Sequence, residues 1–473
     1  MGQQHQQVSG GACHLTMYPE STPGNVAAGQ KGVRLALISE SFKRGSSKKQ
    51  SSVIKGKRGP GKPSEGLPQF SGGLESAAYA PQLGHLLRAL CGAPTTTAVT
   101  QKNMTAGPVV DLGGGFVGLP CTAHGHVQDD IITVAGTANY DGTYRVEDGT
   151  ASDLIAISAP YVAEAVTIGA EVMRGRAPRL FGTARDLGGG LVGLPVAGGV
   201  HALNAGETIT VEGTTSYDGT YELAAGTADG LLAVTAVYED ETFDGSPLVI
   251  PHFYNHSFPL PRRQPTLCFE KYLDYEPGAA KMPYRRFHFC KVNGFNFSLG
   301  GDDELKFTFD FAVGREASSA TPLAADYTDL PAVVMDTIEG SIFVAGQRRG
   351  DVETASLTNS FGITAKAAVG DRGQYSRMPE GDPDSKCTLE VFLEQDDLQA
   401  LADSRATVPL TLILCASTGE QLNVIYPETE LDAEGAAITG KDGLMQSFTV
   451  MPFIDKGVTM IQFVLVNRVP SYA

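Results

Sequence analysis

Cys121, His124 and His126 stand close enough together to hold a metal ion, because one thiolate and two imidazoles are ordinary zinc ligands. No further Cys or His follows at zinc spacing. The matching stretch of an internal repeat carries Val196 at the cysteine position and no pair of histidines. The run reads as a surface turn. His252 and His256 are four residues apart, as ligands on one helix face would be, but Pro251 and Pro259 argue against a helix there. The triple glycines at 113–115 and 188–190 resemble a phosphate cradle, yet neither leads into Lys-Ser/Thr or into a helix whose dipole would hold the anion. They read as turns between strands. No Gly-x-Ser-x-Gly or His-Glu-x-x-His motif occurs, and nothing singles out two carboxylates as an acid/base pair. The expectation is a protein that is not an enzyme and uses neither cofactor nor metal.

Charge is the stronger signal. Lys43, Arg44, Lys48, Lys49, Lys55, Lys57 and Arg58 lie in a Gly- and Ser-rich stretch with no acid before Glu65, which reads as a long basic loop. Such a run can bind nucleic acid, touch another subunit or stay solvated. It has no aromatic beyond Phe42 on which bases could stack, so a subunit contact is the favoured reading. The net charge of −17 is unevenly spread: residues 1–106 carry +8, residues 107–250 carry −14 and residues 251–473 carry −11. A basic head on an acidic body can attract another copy of itself.

The elements that position these groups begin with a duplication. Asp111-Leu-Gly-Gly-Gly-Phe-Val-Gly-Leu-Pro120 returns as Asp186-Leu-Gly-Gly-Gly-Leu-Val-Gly-Leu-Pro195, and Tyr140-Asp-Gly-Thr-Tyr144 returns unchanged at Tyr217–Tyr221. The offset grows from 75 to 77, so one copy carries a two-residue insertion. A period this long suits tandem small β-domains. Asp-Gly between alternating apolar residues predicts a hairpin turn at 141–142 and 218–219, with glycine at positive φ. The divisions expected are 1–106, 107–177, 178–250 and 251–473, the second and third being the repeated modules.

Elsewhere period-two alternation dominates. Leu305, Phe307, Phe309, Phe311 and Val313 point one way, and Lys306, Thr308 and Asp310 the other. Phe287–Leu299 reads as a strand bent at Gly294, with further strands near 33–42, 341–344, 388–393, 410–415 and 460–466. Helical spacing appears only over 81–90, stopped by Gly92, and over 395–404. The fold class expected is mainly β: an antiparallel sandwich or partly closed barrel with one or two short helices. Seven scattered cysteines without Cys-x-x-Cys spacing point to reduced, buried thiols. No apolar run of roughly 18 residues suggests a membrane span, and the first residues lack the pattern of a signal peptide.

Arg286-Phe-His-Phe-Cys-Lys-Val-Asn-Gly-Phe-Asn-Phe-Ser-Leu299, followed by Leu305–Val313 and by a helix leading into a strand at 395–416, resembles the tail tube (major tail) proteins of long-tailed bacteriophages. So does the N-terminal part, a hairpin with a long loop before a short helix. The resemblance covers about 1–106 and 251–473, and the two modules, immunoglobulin-like or similar, look like an insertion carried on the outer surface. It implies a virion protein of the tail, assembled in the bacterial cytoplasm, whose copies form hexameric rings stacked into a tube that conducts genomic DNA. Its partners would be copies of itself, the terminator, tape-measure and tip proteins, and DNA in transit, without membrane insertion. The lumen would be lined by outward polar residues, with Asp302, Asp303 and Asp310 as candidates, and the basic run would touch the neighbouring ring. The competing reading is a surface adhesion or decoration protein whose modules bind host glycans.

Overall fold

The chain, as a computed structural model, is described over residues 10–49, 62–99, 101–167, 169–199, 201–275, 282–300, 305–371, 373–393, 396–433, 444–457 and 459–472. It is mainly β, with two α-helices and no closed barrel among the described residues. The alternation at 305–313 produces the strand Lys306–Ala312. Phe307, Phe309 and Phe311 are buried on one face, and Lys306 and Asp310 are exposed on the other.

That strand sits in a wide antiparallel sheet. In order, its members are Gln69–Ala77, Lys306–Ala312, the second half of Tyr284–Leu299, Val352–Ser360, Asp384–Phe392, Met445–Pro452 and Gln421–Ala433. The first half of Gln421–Ala433 pairs instead with Gln462–Asn467, which leads through Phe253–Pro259 to Thr95–Val99. Along its other side runs Val408–Cys415, itself paired with Asp336–Val344.

The strand Tyr284–Leu299 also serves two sheets. Before Phe289 it pairs with Leu267–Tyr272 and Arg315–Ser319, and from Lys291 onward with Lys306–Ala312. The expected bend is present as a register shift between Val292 and Gly294, but the handover itself falls at Phe289, whose φ is +55°. A bulged strand twists more strongly, which lets one strand leave a sheet and enter the next.

One large core collects side chains from Leu15 to Cys91 and from Phe258 to Tyr472. The helix Ala80–Cys91 lies across it, with Leu83, Leu86, Leu87 and Leu90 buried, and ends at Gly92 (φ +82°) as the spacing predicts. Gly84 admits the Tyr472 ring, since a Cβ there would lie 2.0 Å from it. The second helix, Asp397–Ser404, ends at Arg405 in the left-handed region. Several strands escaped the periodicity reading, among them Gln69–Ala77, Val352–Ser360 and Gln421–Ala433, because Gly, Ser, Thr and charged residues fill their outward positions.

The repeated modules build the same small core twice. Val117, Leu119, Ile132, Val134, Tyr140 and Ile155 in one correspond to Val192, Leu194, Ile209, Val211, Tyr217 and Leu232 in the other. Each has a three-stranded sheet, Val110–Gly113, Phe116–Pro120 and Leu154–Ser158 in the first copy and Arg185–Gly188, Leu191–Pro195 and Leu231–Thr235 in the second, and a four-stranded one; the first copy adds a two-stranded pair, Gly107–Pro108 with Ala165–Val166. The tight turns are Gly114-Gly115 (φ +63° and +88°) and Gly189-Gly190 (φ +65° and +81°), as the triple glycines suggest.

The Asp-Gly pairs are a correction. Ile131–Ala135 pairs with Gly142–Arg145, so Asp141 closes a longer loop in which Thr137 donates its N–H (2.7 Å) and hydroxyl (2.9 Å) to Asp141 Oδ1. Asp218 does the same for Thr214; the positive φ falls on Gly136 rather than Gly142 in the first copy, and on both Gly213 (+84°) and Gly219 (+154°) in the second. Tyr140 and Tyr217 are buried, and their hydroxyls reach the Val162 and Glu239 carbonyls at 2.8 and 2.5 Å. Gly114→Ala should therefore cost roughly 1–2 kcal/mol, because a Cβ is disfavoured at that φ. Gly142→Ala should cost less, and denaturant unfolding of the two variants checks the ranking.

Candidate lumen and assembly surfaces

Because successive side chains of a strand point to opposite faces, the wide sheet that buries its phenylalanines presents a second face made mainly of polar groups, with Phe392 and Met451 exposed at its strand ends. Across it run the rows Glu75, Thr308, Asn296, Thr358 and Lys386; then Asp310, Ser360 and Asp384; then Ser298, Ser356, Thr388, Thr449 and Asp432. Asp310 stands between Gly73 and Gly294 on the flanking strands, and a Cβ at either glycine would lie 3.2 or 3.0 Å from its carboxylate oxygens. Glycine on both sides keeps this part of the face low and leaves the carboxylate exposed. With Glu75, Asp310, Asp384, Glu390 and Asp432 against Lys306 and Lys386, the face is net acidic. Beneath it, the buried Asn359 amide donates to the Phe295 carbonyl at 3.0 Å, and its oxygen accepts from Ser385 and Tyr426.

Of the other lumen candidates, Asp302 and Asp303 lie outside the described residues. The basic run is not the irregular loop expected. Lys43–Gly45 pairs with the start of Gln69–Ala77 at the rim of the wide sheet, and Lys48–Lys49 pairs with Ser64–Glu65 in a separate two-stranded ribbon, so over its described residues the run is paired backbone. Backbone pairing holds it where apolar burial is scarce, and Ser47 Oγ donates to the Leu67 carbonyl at 2.7 Å. Lys43, Arg44, Lys48 and Lys49 are all exposed on it. Lys55, Lys57 and Arg58 lie outside the described residues.

Sequence spacing gave no sign of the ionic anchors that seat the modules on the large core. Asp130, fully buried, meets Arg174 at 2.6 Å and His126 at 3.5 Å. Arg174 also reaches the Gln421 amide oxygen at 3.2 Å and the Gly419 carbonyl at 3.3 Å. Asp129 meets Arg145 at 3.2 Å and Arg348 at 3.4 Å, and accepts from Ser341. Seventy-seven residues on, at the equivalent of Asp130, Glu207 meets Arg468 at 3.0 Å, which also holds Glu420 at 2.7 Å. The repeat offset of 77, applied to carboxylates rather than to turns, matches Asp130 to Glu207, but equally Asp141 to Asp218 and Glu164 to Glu241.

His124 and His126 are buried rather than in a surface turn. His124 uses both ring nitrogens locally, on the Ala151 carbonyl (2.6 Å) and the His126 N–H (3.0 Å), which leaves none for a metal. His201 repeats this pattern on Ala228 and Leu203, a single histidine where a pair was sought. His256 is likewise buried between Thr96 and the Val469 carbonyl.

The two anchors titrate in opposite senses. Burial alone would raise the Asp130 carboxyl, but Arg174, His126 and the Val127 N–H outweigh it and hold it below its usual 3.8. Burial pushes His126 below its usual 6.5 against the pull of Asp130. Both groups therefore contribute stability that is present above those ordinary values and lost as pH falls through them. Glu207 is raised, chiefly by burial and against Arg468, so its contribution is present at low pH and lost as pH rises. Acidification from pH 7 should lower hydrogen-exchange protection in Ile131–Ala135 relative to Thr208–Glu212. Asp130→Asn should cost about 3–5 kcal/mol by stranding Arg174, measurable by denaturant unfolding.

No curated protein matches the chain. A family model described as phage tail tube protein matches residues 10–452, a span that takes in the wide sheet, the basic ribbon and both modules. The chain belongs to the phage tail tube protein family.

Proposed function

We propose that copies of this chain close into hexameric rings, stack into the tail tube and conduct the genome through a lumen lined by the polar face of the wide sheet. The observation that carries this reading is the character of that face: small, net acidic and backed by a phenylalanine core. DNA binding proteins neutralise phosphates with Lys and Arg. A wall rich in Ser, Thr, Gly and carboxylates repels phosphate and, apart from the exposed Phe392, offers bases little to stack on, as a conduit requires. Ring closure would use backbone groups at sheet edges, which otherwise invite uncontrolled pairing. Among the described residues, Thr95–Val99 is such an edge, paired on one side with Phe253–Pro259. The exposed lysines of the ribbon would meet acidic surface on the next ring and set its register. The modules, with residues 107–177 and 178–250 as units, would stand on the outside, where they do not fill the channel.

Negative-stain imaging of the purified protein should reveal tubes with a central channel wide enough for a duplex. Separate monomers that bind polysaccharide would support an adhesion role instead. Charge reversal of Lys48 and Lys49, with Lys55 and Lys57, should stop ring stacking while the monomer melts at an unchanged temperature. Normal tubes from that variant would remove the ribbon from the contact.

A further inference from the structure

Three side chains far apart in sequence converge on adjacent strands of the smaller sheet. Glu20 follows His14–Pro19, Cys268 lies on Leu267–Tyr272, and His288 lies on Tyr284–Leu299. One ligand atom from each lies within 4.8 Å of the other two. The bulge between Leu267 and Phe269 falls at Cys268, and the sheet handover at Phe289 follows His288 directly. The side chain of Glu20 is fully buried, and that of His288 is 13% exposed.

The polar atoms here are incompletely used. Glu20 accepts the Gly24 N–H at 2.7 Å and the Phe289 N–H at 2.9 Å, one on each oxygen, and each oxygen keeps a further lone pair. His288 Nδ1 points to Glu20 Oε1 at 3.4 Å, is buried and makes no hydrogen bond. The nearby arginines are engaged elsewhere, Arg286 with Glu270 at 2.6 Å and Arg315 with the Gly24 carbonyl at 2.5 Å. A buried carboxylate without a close positive partner is costly.

We propose that Glu20, Cys268 and His288 form a binding site for a divalent cation of the zinc class. An oxygen, a sulfur and a nitrogen donor are the mixed set that zinc accepts, and three protein ligands leave room for a fourth. On binding, the Sγ–metal bond forms as the Cys268 thiol releases its proton to solvent. The two negative ligands then balance the cation, which neutralises the buried carboxylate. The bound ion would tie together three neighbouring strands, one of them near the N-terminal end of the chain.

The test is a titration of the purified full chain, stripped with chelator, against cobalt(II) as the probe. A thiolate-to-cobalt charge-transfer band that saturates at one equivalent and is displaced by zinc is the expected result. Cys268→Ser should abolish the band. His288→Gln, at a partly exposed position, should weaken cobalt affinity by more than the roughly 10–100-fold that loss of an outer-shell partner costs. No band in the unmodified chain, or a band retained in Cys268→Ser, overturns the site. Should Cys268→Ser fail to fold, an unchanged cobalt affinity in His288→Gln overturns it equally.

Discussion

The alternation of side chains across one antiparallel sheet is the constraint on which the rest of the molecule depends. A strand offers its two faces in strict succession, so a register slip of one residue would exchange every phenylalanine for a polar group. The chain uses that strictness to make one sheet serve as the wall of a core and as a solvated surface. Phe295, Phe297, Phe307 and Phe309 pack into one another on the inner side, with ring centroids 4.7 to 5.6 Å apart. The core thereby holds in place the polar groups of the opposite face. Neither face can be altered without consequence for the other.

The modules obey a different logic. Each is a small core with little surface to bury, near the lower limit for independent stability, and each is tied to the rest of the chain through a buried carboxylate, Asp129 to Arg348 in the first and Glu207 to Arg468 in the second. The duplication kept the carboxylate at 130 and 207 but not its partner. Asp130 pairs with Arg174 of its own module, which in turn bonds to Gln421, whereas Glu207 takes Arg468 from the end of the chain. Gly419 packs so closely on Gly175 that a Cβ on Gly419 would lie 2.6 Å from the Cα of Gly175. Seating through different partners makes the two copies non-equivalent in place although they are alike in build.

Much of the fold was legible in the sequence because it rests on local patterns. The strand at 306–312, the helix at 80–91 and the glycine turns each carry a periodicity or a residue type that one backbone geometry demands. Strands rich in Thr and Ser, such as Val352–Ser360, were not legible, since their outward residues resemble those of loops. The strands Lys43–Gly45 and Lys48–Lys49 in the basic run are illegible for the same reason: ribbon pairing through backbone hydrogen bonds leaves no mark in side-chain polarity. Long-range groupings were the least accessible. Asp129 with Arg348, Glu207 with Arg468, and Glu20 with Cys268 and His288 depend on strand order, which spacing along a chain does not encode.

The strand Tyr284–Leu299 belongs to two sheets at once, and this has a mechanical corollary. A tension applied along either sheet is transmitted through a single covalent backbone into the other, so neither can slide without rupturing a ladder of bonds loaded together. Strands pulled in shear share the force among many hydrogen bonds, whereas strands peeled apart break them one by one. A subunit spliced in this way keeps its shape under a pull that would separate two independent sheets.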